Sequence, residues 1–313
     1  MTGQYADPRS GKITVERYAR DVWLPSLLLR SSSRREDEGA LDRYLVPAFG
    51  RQSMSSVSPA NARALIVDLE RRLAPPTARR VCEHARSLFR HASTARVIAV
   101  SPFEGVRFGP LPAQRRRIPN VDDVRAVVAA CDPLTAVMVL VAAQTGLRSA
   151  ELRGLTMGAL DLDRRRLHVE RQLLVEPGQR WSLGEPKTAA GIRTVRFGPG
   201  LHQTLETFLA VNPPSPDGLV FHDEGRPVAN STFDYRVKAA QRRSGVPAFR
   251  VHDLRHHCAS VLIAGGVPVP AITEQLGHAT PQVTFTTYAH LLRDHQDAAS
   301  EAISRAWTQV AAD

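Results

Sequence analysis

Apolar residues recur every three to four positions over most of this chain, and the stretches that break the rhythm are short. In residues 14–29 the stripe runs through Val15, Tyr18, Ala19, Val22 and Trp23, which predicts a helix that Pro25 bends or ends. Residues 30–38 are polar and charged. Helical spacing returns over residues 60–73, through Ala64, Leu65, Val67, Leu69 and Leu73, and Pro75 and Pro76 stop it. Thr77 then caps a helix over residues 78–96, with Val81, Ala85, Leu88 and Phe89 on one face. The first hundred residues read as a small helical domain.

Residues 105–120 have no apolar periodicity; three prolines, two glycines and the run Arg115, Arg116, Arg117 make them an interdomain linker. Asn120 next caps a helix with Asp122 and Asp123 in its first turn, where carboxylates complement the dipole. A nearly all-apolar helix follows over residues 134–143. Residues 167–175, 181–183 and 192–197 are β-patterned and predict a small antiparallel sheet; beyond residue 200 the pattern is helical again. The expected architecture is mostly α with a small antiparallel β-sheet. Its parts are a tail at 1–12, a helical domain at 13–106, a linker at 107–120 and a mixed, mostly helical domain at 121–313.

Charge changes this picture by its distribution. The net charge is +10 and the pI near 10.3, which favours a polyanionic partner, nucleic acid or an anionic membrane surface. Residues 1–117 hold 21 basic and 11 acidic side chains, so the surplus sits in the N-terminal third. Arg79, Arg80 and Arg86 on the helical domain and Arg115, Arg116 and Arg117 in the linker are the candidate phosphate contacts. Cys82, Cys131 and Cys258 are odd in number and lack CxxC spacing, against a disulfide framework or a structural zinc. The longest apolar run is far too short to cross a bilayer, so a soluble chain in a reducing cytoplasm is expected.

The chemistry-bearing residues lie in the last 170 positions: Arg148, Lys187, His252, Arg255, His278 and Tyr288. Fixed positive charge with a phenol suits attack on a phosphodiester, because phosphoryl transfer asks mainly for positioning and for cations facing the equatorial oxygens. Two arginines fit, since guanidinium stays protonated and bonds two oxygens at once. Glu151, one helical turn after Arg148, pairs with it on the surface or holds it in place. Lys187 is one of three lysines against 38 arginines and is the cation able to release a proton to a leaving oxygen, although a hairpin loop is also an ordinary place for a lysine. His252 and His256 share a helical face as metal ligands would, but no further carboxylate or cysteine accompanies them and Arg255 lies between. Phe285, Tyr288 and Leu292 are spaced as a core stripe, so a buried structural tyrosine competes with a nucleophile.

Five segments in order resemble the tyrosine recombinases, the phage integrase family: Thr145-Gly-Leu-Arg-Ser-Ala-Glu-Leu152, Pro186-Lys-Thr188 with Arg193-Thr-Val195, His252-Asp-Leu-Arg-His256, Leu276-Gly-His278 and Tyr288-Ala-His290. The resemblance implies a helical core-site DNA-binding domain followed by a catalytic domain of the tyrosine recombinase type. It implies site-specific cutting and rejoining through a 3′-phosphotyrosine, with Tyr288 as nucleophile, Arg148 and Arg255 on the phosphate, Lys187 as acid, His252 as the proton-transfer residue and His278 as a phosphate donor. Glu151 supports, and His256 and His257 only pack or hydrogen bond; His257 stands where the family often has threonine. No cofactor, ATP or metal is implied. The implied partners are double-stranded DNA with paired inverted core sites, three further copies in a tetramer with the 297–310 helix docking on a neighbour, and a directionality or host DNA-bending factor. The implied setting is the bacterial cytoplasm, at the nucleoid. Residues 6–12 resemble the tail of an accessory arm-site domain, so a shortened or late-starting product is expected. A type IB topoisomerase, a silent DNA-binding regulator and a metal-dependent nuclease are the rival readings.

Overall fold

The computed structural model describes residues 10–27, 31–106, 117–175, 180–186, 188–282, 288 and 304, and the chain divides into compact units at 1–114 and 115–313. Among the described residues of the first unit the regular elements are helices. A continuous helical path passes through α1 (Val15–Tyr18), a π-helical turn (Ala19–Trp23) and α2 (Leu24–Ser26), ending at Leu27 just past Pro25. The polar stretch that follows holds α3 (Ser31–Ala40), then a π-helical turn (Leu41–Leu45) and α4 (Val46–Phe49). Two longer helices, α5 (Pro59–Arg72) and α6 (Pro75–Thr94), complete the unit. Ser58 and Asn61 form a reciprocal capping box at the start of α5, an arrangement that stabilises a helix by about 1 kcal/mol.

Trp23, Tyr18, Leu41, Leu45, Leu69, Leu88 and Phe89 are buried together at the centre of this unit. The start of α6 corrects the sequence reading. Pro75 and Pro76 occupy its first positions with Ala74 as the cap, so Thr77 lies inside the helix. Proline is favoured there because the first N–H groups of a helix have no intrahelical partner to lose.

In the second unit, α7 (Val121–Ala129) is capped by Asn120 with Asp123 reciprocating, as the sequence predicts. The apolar α8 (Pro133–Thr145) is buried on most sides and ends at Gly146, whose φ of 69° is left-handed. The short α9 (Ser149–Arg153) follows. Strands β1 (Leu160–Asp161), β2 (Arg166–Val169) and β5 (Arg193–Arg196) form an antiparallel sheet in the order β1-β2-β5, with Leu167 opposite Val195 and Val169 opposite Arg193. Between them β3 (Gln172–Leu174) and β4 (Ser182–Gly184) make a separate hairpin.

The single strand expected over 167–175 is therefore two. The exposed Glu170 and Arg171 interrupt it, and β3 packs on α9, where a Cβ on Gly154 would sit 2.6 Å from the Leu173 nitrogen. After α10 (Pro199–Val211) comes a two-strand ribbon, β6 (His222–Asp223) with β7 (Arg226–Pro227), neither foreseen from the pattern. The remaining helices are α11 (Asn230–Ser244), α12 (Asp253–Ala264) and α13 (Val269–Leu276). α12 lies against both α8 and α13. That contact brings the end of α8, the start of α9 and the Gly277 turn to one place. Of the expected 297–310 helix, all but Ser304 falls outside the described residues.

Candidate active site

Arg148 is the N-cap residue of α9, where its backbone N–H donates to Glu151 Oε2 at 2.9 Å. Its guanidinium donates to Glu151 Oε1 at 2.8 Å and to the Gly277 carbonyl at 2.8 Å, while the side chain stays 33% exposed. Glu151 is buried and receives a second guanidinium, Arg193 Nη2 at 3.0 Å. Burial pushes the Glu151 carboxyl up, but hydrogen bonding and charge from Arg193, joined by Arg148, outweigh it and hold the group below the usual carboxylate range. Arg193, also buried, donates further to the carbonyls of Gln275 at 2.9 Å and Gly191 at 3.0 Å. One carboxylate thus ties α9, β5 and the end of α13 together.

Arg255 is 3% exposed and donates through Nη1 to the Gly146 carbonyl at 2.7 Å. Its Nη2 is buried and has no hydrogen-bond partner among the described residues. A buried donor without an acceptor costs about 1–3 kcal/mol, which an entering anion would recover. Burial first, then repulsion from Arg148 and Arg193, lowers the Arg255 pKa to about 9. His278 follows Gly277, whose φ of 64° and close neighbours, the Ala190 carbonyl at 2.7 Å from an ideal Cβ among them, admit only glycine. Burial, then the charges of Arg255, Arg148, His256 and Arg193, bring the His278 pKa down to about 4, so its imidazole is neutral near physiological pH.

Tyr288 is 1% exposed and packs with Cys258, Ala259, Ile263, Ile272 and Leu276. Its hydroxyl nevertheless meets a polar group, His256 Nδ1, at 2.8 Å. Burial pushes the phenol up to about 12, with Arg255 pulling the other way. The His252 ring stands edge-on to His256, centroids 5.2 Å apart. His257 instead reaches the Pro119 carbonyl at 2.8 Å, on the strap leading into α7. Lys187 lies outside the described residues, between Pro186 and Thr188. Among the described residues no group of three His, Cys, Asp or Glu converges as a metal would require.

Arg148, Arg255, His278 and Tyr288 thus share one neighbourhood, around two guanidiniums and a phenol. A model of the phage integrase family matches residues 120–295. The chain belongs to that family. It is 28% identical over 269 residues to a putative prophage phiRv2 integrase of Mycobacterium tuberculosis, covering 82% of this chain and 70% of the relative. It is 25% identical over 301 residues to an integrase of Mycobacterium phage L5, covering 94% and 79%. The fold matches the Tn1549 transposon integrase in complex with a circular intermediate DNA at a TM-score of 0.80 and 21% identity, over 93% of this chain and 99% of that one. A lambda integrase dimer bound to a core site matches at 0.68 and 14% identity, over 90% and 95%. The protein is therefore a site-specific recombinase, an enzyme that breaks and rejoins DNA strands.

Elsewhere on this recombinase three of the expected DNA-contact arginines have protein partners. Arg80 pairs with Glu36, and Arg86 with Glu83 at 2.9 Å and with the Val106 carbonyl. Arg117 pairs with both Asp123 oxygens at 2.8 Å and donates to the Pro247 carbonyl at 3.1 Å, strapping the start of the second unit to its body. Arg79 is half-buried, and Arg115 and Arg116 lie outside the described residues. Two site residues carried no role in the sequence reading. Arg193 gave no local signal, since its partner is 42 positions away. His256 is visible through its spacing from His252, but the sequence gives it packing or hydrogen bonding and no part in the chemistry.

Proposed function

We propose that Tyr288 attacks a DNA phosphate held by Arg148, Arg255 and His278, leaving a 3′-phosphotyrosine and a free 5′ hydroxyl. Lys187 gives the leaving oxygen its proton, and a partner strand's 5′ hydroxyl reverses the step. Phosphoester bonds are exchanged rather than hydrolysed, so the scheme calls for neither ATP nor metal. The observation that carries the reading is the buried Arg255, with one guanidinium edge fixed on Gly146 and the other without a protein acceptor, beside Arg148 and within electrostatic reach of the Tyr288 phenol. Glu151 and Arg193 hold Arg148 in place.

The substrate in this reading is duplex DNA with paired inverted core sites, assembled with four copies of the chain in the bacterial cytoplasm. The N-terminal unit grips the core site through its excess of arginines, and a directionality or host DNA-bending factor selects the direction. Tyr288→Phe tests the core of the proposal: binding to DNA flanking the coding sequence stays within about threefold, because one hydroxyl is a small part of a large phosphate interface. Covalent adduct disappears. An adduct persisting in the Phe variant would overturn the assignment.

A further inference from the structure

The contact between Tyr288 and His256 has no part in the transfer just described, and the family resemblance gives the proton-transfer role to His252. Tyr288 Oη lies 2.8 Å from His256 Nδ1, a separation across which a proton passes directly. The two rings are tilted by 62° with centroids 5.6 Å apart, so the imidazole edge meets the hydroxyl. Cys258, Ala259 and Ile263 of the same helix pack around the tyrosine, and α12 therefore carries both the wall that seats the phenol and the base that faces it.

We propose that His256 takes the phenolic proton of Tyr288 as its oxygen attacks phosphorus, and returns it when that oxygen leaves. The inference rests on the reading of Tyr288 as nucleophile. In cleavage the Oη–H bond breaks and the proton moves to Nδ1, in the tautomer that carries its hydrogen on Nε2. The Oη–P bond forms, the P–O5′ bond breaks, and the leaving oxygen takes a proton from a separate acid, Lys187. In rejoining, the entering 5′ hydroxyl gives its proton to that amine, the Oη–P bond breaks, and the imidazolium reprotonates the phenolate.

An acceptor is required because a phenol pushed up to about 12 is ionised to only about one part in 10⁵ at neutral pH. The His256 ring meets His252 and Tyr288, and it interacts electrostatically with Asp253, at the start of its own helix, and with His278, beyond the end of α13. Asp253 is the one carboxylate among them and favours the imidazolium. His252, edge-on to His256, is exposed.

Single-turnover cleavage of a nicked suicide duplex, carrying the sequence that flanks the coding region, tests this from about pH 5.5 to 9 with the full chain. The parent, His256→Asn and His256→Ala are compared, and the adduct is mapped by peptide mass. Asparagine keeps a hydrogen-bonding atom near Nδ1 but takes no proton. Both variants are expected to bind the duplex within about threefold of the parent and to cleave about 10²–10⁴-fold more slowly. The rising limb of the pH–rate profile vanishes in His256→Asn, and added imidazole restores His256→Ala.

An asparagine variant that cleaves like the parent, or one slowed equally at every pH with no imidazole rescue of the alanine variant, overturns the role. If both variants lose DNA binding, the parent on a 5′-thio duplex decides, since that leaving group needs no acid. A surviving rising limb supports the imidazole and a flat profile removes it. An adduct that is absent, or on another residue, removes the nucleophile assignment itself. An adduct on Tyr288 with an unimpaired asparagine variant removes only the role of His256.

Discussion

Glu151 sets the charge balance of the site. It faces two guanidiniums from inside the protein, and removing one partner of a buried pair typically costs about 3–5 kcal/mol because the other charge is left uncompensated. Glu151→Gln should therefore lower the stability of the second unit by about that amount in urea unfolding, and cleavage should fall with it as Arg148 loses its hold. The pH dependence has a definite sign. The Glu151 carboxyl lies below its ordinary value, so its stabilisation is present above the unfolded carboxyl pKa of about 4.3 and is lost as pH falls through the lower native value. His278 acts in a higher window. Its native pKa of about 4 lies below the unfolded 6.5, so between those values the unfolded chain binds more protons and stability declines as the solution is acidified. His278→Asn should flatten the fall in urea midpoint between about pH 6.5 and 4; an unchanged slope would show that the imidazole is not held neutral by folding. The Arg148–Glu151 contact was legible as a spacing of three. The Arg193 contact was not, because it forms only when β5 is brought against α9.

At the level of elements, the helices were legible wherever apolar residues repeat and a cap precedes them, as at Asn120 and Ser58. The sheet was less so, since whether Leu167 and Leu173 share one strand depends on where β3 packs, which periodicity does not record. Glycine marks the two turns that build the site. Gly146 ends α8 with a left-handed φ, lends its carbonyl to Arg255, and would place a Cβ 2.5 Å from Leu276 Cδ2. Gly146→Ala should destabilise by about 1–3 kcal/mol through backbone strain and the displaced leucine, measured by urea unfolding. Because the same carbonyl anchors Arg255, cleavage should drop further than the fraction of unfolded protein explains.

Across the whole molecule, the charge is divided unevenly. All of the net +10 belongs to residues 1–117, while the residues that hold the site balance to zero. Neutralised phosphates release counterions, so replacing Arg79, Arg80 and Arg86 with Ala should weaken DNA binding about equally across sequences and lower the slope of log affinity against log salt by up to about one per lost contact. An unchanged slope would take those arginines out of the DNA interface. The sequence pointed to Arg148, Arg255, His278 and Tyr288 but not to Arg193, and not to their burial: the hydroxyl of Tyr288 is both packed among aliphatic side chains and joined to an imidazole, a combination that a core stripe and a nucleophile motif each describe by half.

Arg148, Arg193 and Arg255 gather about a single carboxylate, and burial together with the other two guanidiniums disfavours the charge of Arg255. Such a cluster behaves like a spring compressed by folding, and any compact oxyanion that enters it lets the spring relax. Sulfate should accordingly raise the melting temperature by more than sodium chloride at equal ionic strength, and the excess should shrink in Arg255→Ala to the general stabilisation that sulfate gives any folded protein.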